Sequence, residues 1–119
     1  MDLSWNKLNV EILNTIKNIR NLKCVYLIKT NLVFKIDYFQ SISLHELALS
    51  NNLFYEFNSF NILKCDNIHL KYLALSGINL TNFEFENFMD FRCFIYLYDL
   101  QLKNNSLTII KHFYFQYAI

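Results

Sequence analysis

The sequence has little glycine and no excess of charge of either sign. Gly77 is the single glycine among 119 residues, which excludes the glycine-rich loops that hold phosphate groups. Eleven basic and ten acidic residues give a formal net charge of +1, so no strong field attracts nucleic acid or anionic lipid. Direct contact with nucleic acid is therefore not expected, except within a ribonucleoprotein.

Long apolar runs and paired cysteines are also missing. The densest apolar run, 93–98, ends at Asp99 and is much shorter than the roughly 20 residues of a membrane-spanning helix, so no membrane contact is expected. The first residues lack the basic and apolar parts of a secretory signal. Cys24, Cys65 and Cys93 are odd in number and lack paired spacing, which favours an intracellular compartment, cytoplasmic or nuclear.

What the chain does contain is a repeated pattern of the form Leu-x-x-Leu-x-Leu-x-x-Asn-x-Leu. Complete copies begin at positions 22, 44, 70 and 97, at spacings of 22, 26 and 27 residues, and half a copy opens the chain. The copies contain Leu22, Val25, Leu27, Thr30 and Leu32; Leu44, Leu47, Leu49, Asn52 and Phe54; Leu70, Leu73, Leu75, Ile78 and Leu80; Leu97, Leu100, Leu102, Asn105 and Leu107; and, in the half copy, Leu3, Asn6 and Leu8.

These spacings lie within the roughly 20–29 residues of leucine-rich repeats, and the chain resembles that family over essentially its whole length. The resemblance implies an α/β fold, a solenoid with a short-stranded parallel sheet on its concave side and helical or 3-10 segments on its convex side. It implies one domain, 1–119, whose repeats lie at about 1–21, 22–43, 44–69, 70–96 and 97–119.

Alternation within each copy separates an inward set of side chains from an outward set. Residues two apart in a strand point to one face, so Leu47 and Leu49 are predicted to point inward together with their equivalents at 73, 75, 100 and 102. The turn after each strand needs a side chain that satisfies backbone groups, which predicts a ladder of Asn6, Asn52 and Asn105. Thr30 is a weaker substitute. Ile78 departs from the pattern, and the adjacent Asn79 is a candidate for its role.

The segments between the strands differ in character. Apolar residues at helical spacing predict a convex helix within 8–19. The segments 54–68 and 80–94 are rich in phenylalanine and predict helical or 3-10 turns whose rings pack in the core. Their aromatic residues are Phe57, Phe60, Phe83, Phe85, Phe88 and Phe91.

Catalytic and metal-binding patterns are weak in this sequence. Cys65 and His69 have a spacing that suits two metal ligands on a helix, but a structural zinc site requires four ligands and no second pair lies nearby. No nucleophile, base and orienting group are brought together by the repeat pattern. We therefore expect no enzyme activity, no metal and no cofactor.

The outward residues of the sheet are the candidate site for a protein partner. Small side chains in its middle would allow close approach, and Tyr26 and Tyr72 would anchor the partner, although a tolerant exposed sheet is an equally simple interpretation. The candidate contacts are Tyr26, Ile28, Glu46, Ala48, Ser50, Tyr72, Ala74, Ser76, Asp99, Gln101 and Lys103. The predicted function is a non-enzymatic interaction module, part of a larger assembly.

Neither end of the sequence resembles the polar cap of a solenoid, and hydrophobic residues make up 54% of the chain. Three explanations stay open: ends covered by partner chains, a piece of a longer reading frame, or a family member that has lost its caps. The alternative function is therefore a structural subunit, of a ribonucleoprotein or another large complex, docked through its ends. The predicted end contacts are Trp5, Phe113, Phe115 and Tyr117.

Overall fold

The computed structural model describes residues 1–34, 44–54, 69–80 and 96–107, and the structural statements below concern these residues. They contain one helix and six short strands. These are α1 (Glu11–Lys17), β1 (Cys24–Tyr26), β2 (Val33–Phe34), β3 (Glu46–Ala48), β4 (Leu53–Phe54), β5 (Tyr72–Ala74) and β6 (Asp99–Gln101).

Four of these strands form a parallel sheet in the order β1-β3-β5-β6. The repeat sets the register, because Val25, Leu47 and Leu73 occupy equivalent positions and face one another, with Leu100 next in line. A bridge between Asp2 and Tyr26 extends the same parallel order to the half copy. The strands β2 and β4 form a second parallel pair. The fold is thus an α/β arrangement with a parallel sheet and little helix among the described residues.

The inward leucines form a single hydrophobic core. Leu47, Leu49, Leu73 and Leu75 are buried, and Leu100 and Leu102 are partly buried and pack against the same cluster, which confirms the predicted inward set. Because parallel neighbours place equivalent side chains one above another, each copy buries its leucines against those of the next.

The helix α1 confirms the periodic pattern but is shorter than the segment that predicted it. Leu13 and Ile16 are buried, and Ile12 packs against the core. Before the helix, the side chain of Asn9 accepts a hydrogen bond from the Glu11 N–H, at 3.1 Å. At the other end, the Asn18 amide donates to the Asn14 carbonyl. These local bonds offer the backbone an alternative to further helix, so α1 spans seven residues.

Each strand of the four-stranded sheet is followed, three positions after its last residue, by a residue in a left-handed conformation. Equivalent positions of the five copies have φ between 52° and 66°, and they are Trp5, Lys29, Asn51, Gly77 and Asn104. The left-handed conformation turns the chain out of the sheet. It disfavours most residues that carry a Cβ, and Asn is among those that tolerate it best. At Gly77 a Cβ would in addition overlap Oδ1 of Asn51.

The ladder of asparagines is confirmed at Asn52 and Asn105, and each of these amides serves two copies. Asn52 donates to the Leu49 carbonyl of its own copy and to the Leu27 carbonyl of the preceding one, while its Oδ1 accepts from the Thr30 N–H. Asn105 repeats this pattern toward Leu102 and Leu75, and its Oδ1 accepts from the Ile78 and Leu80 N–H groups.

Asn105 therefore supplies the polar group that Ile78 lacks, and Asn79 does not take that role. Asn79 has φ 60° and accepts a hydrogen bond from the Ser106 hydroxyl. Asn6 is exposed and not buried as predicted, although its amide donates to the carbonyls of Leu3 and Ser4 as Asn52 does to the equivalent carbonyls of its own copy.

Some expectations lie outside the described residues. These concern the aromatic turns of 55–68 and 81–94, the residues Cys65 and Cys93, and the end contacts Phe113, Phe115 and Tyr117.

We expect Leu73→Ala to lower the free energy of unfolding by about 2–5 kcal/mol, because it leaves a cavity between two packed copies. The control is Leu53→Ala, since Leu53 is 67% exposed and should have a much smaller effect. Urea denaturation followed by circular dichroism measures both. Equal losses would contradict the assignment of inward side chains.

We expect Asn52→Ala to cost about 1–3 kcal/mol, because it leaves buried backbone groups of two copies without partners. Asn6→Ala is the matched control, since the same residue type at the equivalent position is exposed. The same denaturation measurement compares them, and a loss at Asn6 as large as at Asn52 would contradict the role of the bridging amide.

Candidate functional site

The candidate partner surface is the outward side of the four-stranded sheet, here called the outer face. Its side chains alternate with the buried leucines of the strands and form three rows across the sheet. The first row is Cys24, Glu46, Tyr72 and Asp99, the second is Tyr26, Ala48, Ala74 and Gln101, and the third is Ile28, Ser50, Ser76 and Lys103.

Two tyrosines meet across this face. Tyr26 on β1 and Tyr72 on β5 have ring centroids 6.5 Å apart and an interplanar angle of 53°. Because β3 lies between their strands, the two rings reach toward each other above it. Tilted arrangements of this kind are favourable for aromatic pairs, and they leave part of each ring accessible. The two rings therefore lie pre-arranged above the middle of the outer face.

Three of the four small side chains of this face are not accessible, which corrects the prediction that a partner could approach them closely. Ala48 is 0% exposed and Ala74 is 1% exposed, and Ser50 is buried as well. An alanine rises only one carbon above the sheet, so its taller neighbours shield it. Among the predicted contacts, Gln101 and Lys103 are exposed, and those of intermediate burial are Tyr26, Ile28, Glu46, Tyr72, Ser76 and Asp99.

The serines of the third row have a structural role that the sequence analysis missed. The Ser50 hydroxyl accepts a hydrogen bond from the Ser76 N–H, and the Ser76 hydroxyl accepts one from the Lys103 N–H, both at 3.0 Å. Ser4 accepts from the Ile28 N–H in the same way. A hydroxyl at this repeat position thus satisfies a backbone donor of the next copy just after the strand ends. Their recurrence at equivalent positions was the available signal.

Two acidic side chains of the first row flank Tyr72. Glu46 and Asp99 are the register partners of Tyr72 on its two sides. Burial of the hydroxyl, and then the negative charges of Asp99 and Glu46, raise the pKa of Tyr72 above its ordinary value. Two carboxylates beside two aromatic rings provide both kinds of partner that an ammonium or guanidinium group prefers.

Trp5 marks the end of the described structure that carries the half copy. Trp5 is 70% exposed, and the Lys29 ammonium lies 4.8 Å from the centroid of its ring. Both residues occupy the left-handed position of their copies, which places them side by side. This is the one predicted end contact that lies within the described residues.

A second group of side chains lies at the edge where the strands begin. The rings of His45 and His69 have centroids 6.2 Å apart, and His69 stacks on Tyr96 at 5.9 Å and 15°. Lys23 and Lys71 flank His45 through the backbone pairing. Burial, and then the charges of Lys23, Lys71 and His69, lower the pKa of His45. Equivalent repeat positions of Lys23, His45 and Lys71 were a signal that the sequence analysis did not use.

The described residues contain no group of three or more histidine, cysteine or acidic side chains arranged to hold a metal ion. Within those same ranges, no helix has the length and apolar character that crossing a membrane requires. Comparison with known proteins finds no matching family model, no matching curated protein and no matching solved structure.

We expect the Tyr72 hydroxyl to titrate above 10.0, its ordinary pKa, and Asp99→Asn to lower this pKa without returning it to that value, since burial is the larger cause. The tyrosinate absorbance of wild-type protein, compared with that of Tyr72→Phe, isolates this titration. Because ionisation is disfavoured in the folded state, wild type should lose more stability than Tyr72→Phe as the pH rises above 10.0. Identical titration curves for the wild type and Asp99→Asn would contradict the proximity of the carboxylate.

Proposed function

We propose that this chain is a leucine-rich-repeat solenoid that serves as a non-enzymatic, intracellular protein-interaction module, and that its outer face is the concave surface that binds a protein partner within a larger assembly. The spacing of the copies and their parallel register support the repeat assignment. In a stack of repeats, the sheet side is the usual position of an extended binding surface. Cys24, which is a free thiol, agrees with a reducing compartment.

The observation that carries this proposal is the tyrosine pair with its flanking carboxylates. Tyrosine is enriched at the energetic centres of protein interfaces because a large rigid ring loses little conformational entropy on binding. Tyr26 and Tyr72 already contact each other, so a partner does not need to order them. The two acidic register neighbours of Tyr72 favour a partner segment that carries lysine or arginine.

A specific observation also favours the alternative, a structural subunit docked through its ends. Trp5 exposes 70% of its surface at one end of the described structure, and large exposed aromatic side chains are typical of contact sites. In that arrangement the outer face would be free, and Trp5 would carry the contact with a neighbouring chain.

Single substitutions separate the two proposals. We expect Tyr26→Ala or Tyr72→Ala to weaken binding of the partner by about tenfold or more, the usual effect of removing a central tyrosine anchor. Trp5→Ala should leave the affinity unchanged. The partner is first isolated with tagged wild-type protein and identified by mass spectrometry, and its affinity for each purified variant is then measured by calorimetry.

Tyr98→Ala is the matched control, since Tyr98 is exposed and lies outside the outer face. Circular dichroism verifies that each variant keeps its fold. If Trp5→Ala abolishes binding while both outer-face variants retain it, the end-docking alternative is correct and the outer face is not the partner surface.

A further inference from the structure

We propose that Lys23, His45, His69 and Lys71, together called the basic edge, form a binding site for a phosphoryl group on a phosphorylated protein. The inference rests on the proposed function in one respect, namely that the phosphoryl group is carried by the protein partner. The basic edge lies beside the outer face, at the position where the strands begin, so one partner segment can reach both.

The backbone fixes the spacing of the two lysines. The His45 N–H donates to the Lys23 carbonyl at 2.7 Å, and the Lys71 N–H donates to the His45 carbonyl at 2.7 Å. Neighbouring strands lie about 4.8 Å apart, so the Lys23 and Lys71 backbones are separated by roughly 10 Å with His45 midway. Both lysines are exposed, and their long side chains can converge on one anion above His45.

The two histidines are held by a column of rings. His45 contacts His69, and His69 stacks on Tyr96 with an interplanar angle of 15°. Stacking restricts the orientation of each imidazole, which lowers the entropy that an arriving ligand must remove. A neutral or charged imidazole donates N–H bonds, and phosphoryl oxygens are strong acceptors.

Burial, and then the positive charges of Lys23, Lys71 and His69, lower the pKa of the His45 imidazole. Glu46 follows His45 directly, but it lies on the outer face beside Tyr72. Positive groups gathered in this way repel one another, and a doubly charged anion relieves that repulsion more than a carboxylate with a single charge.

A single phosphoryl group fits this edge better than a nucleic acid strand. The adjacent row carries Glu46 and Asp99, which would repel the successive phosphates of a polynucleotide crossing the sheet. A peptide with one phosphorylated side chain places its negative charge at the basic edge alone. Its lysine or arginine residues can then meet the two carboxylates.

Inorganic phosphate is the first probe. Protein labelled with ¹⁵N at histidine is titrated with phosphate, and the imidazole resonances are followed by NMR across the pH range. We expect phosphate to raise the pKa of His45, because the bound anion stabilises the imidazolium, while potassium chloride of equal ionic strength does not. Equal responses to both salts would show simple screening and would overturn the site.

Substitution of the lysines tests the location. The double variant with Lys23→Gln and Lys71→Gln should bind phosphate about tenfold more weakly, as expected when charge-assisted hydrogen bonds are lost. Lys103→Gln is the control, since Lys103 is an exposed lysine in the third row of the outer face. Both substitutions are at exposed positions, so the fold should persist. Unchanged affinity in the double variant would overturn the assignment.

The source of the phosphoryl group is tested with three ligands: a short peptide containing phosphoserine and one arginine, the same peptide without phosphate, and a single-stranded oligonucleotide of ten uridines. The proposal expects the phosphopeptide to bind most tightly, through Lys23 and Lys71. Tighter binding of the oligonucleotide through the same lysines would replace the protein ligand with RNA.

These measurements are independent of the outer face. If Tyr26→Ala leaves the partner affinity unchanged while the protein still binds phosphate, the proposed function alone is refuted. If Tyr26→Ala abolishes partner binding but the protein shows no specific response to phosphate, the basic edge alone is refuted.

Discussion

The strands of the four-stranded sheet are three residues long and must end at equivalent positions in every copy. This requirement controls the rest of the structure. Where the chain leaves the sheet, backbone N–H and carbonyl groups become buried without regular partners. The amides of Asn52 and Asn105 bond to these groups in two copies at once. Among the described residues, no buried side-chain nitrogen or oxygen lacks a hydrogen-bond partner. Thr30 and Ile78 are tolerated because the following copy supplies the amide.

The same register creates the two surfaces that carry the proposals. Parallel pairing aligns equivalent positions of successive copies, so a residue type that recurs at one position becomes a row across the sheet. Carboxylates beside Tyr72 form one such row, and Lys23, His45 and Lys71 form another along the edge. The two rows have opposite charge although the chain is nearly neutral, which net charge alone cannot indicate.

Much of the fold could be predicted from the repeat pattern, whereas the accessibility of the side chains in the candidate site could not. The period of two placed Leu47 and Leu73 inward, and helical spacing located α1, because both patterns follow from backbone geometry. The accessibility of Ala48 and Ala74 could not be read in this way. It depends on the height of the side chains that neighbouring strands place beside these alanines.

The sequence by itself determined where each strand of the four-stranded sheet lies, which leucines share the core and where the polar turn residue is needed, since repeat spacing and alternation encode all three. Tertiary structure alone decided that Asn52 bridges two copies while Asn6 does not, and that His45 and His69 stand in one ring column. The physical reason is that these features depend on contacts between copies more than twenty residues apart. A local pattern describes each copy but not what lies above or below it.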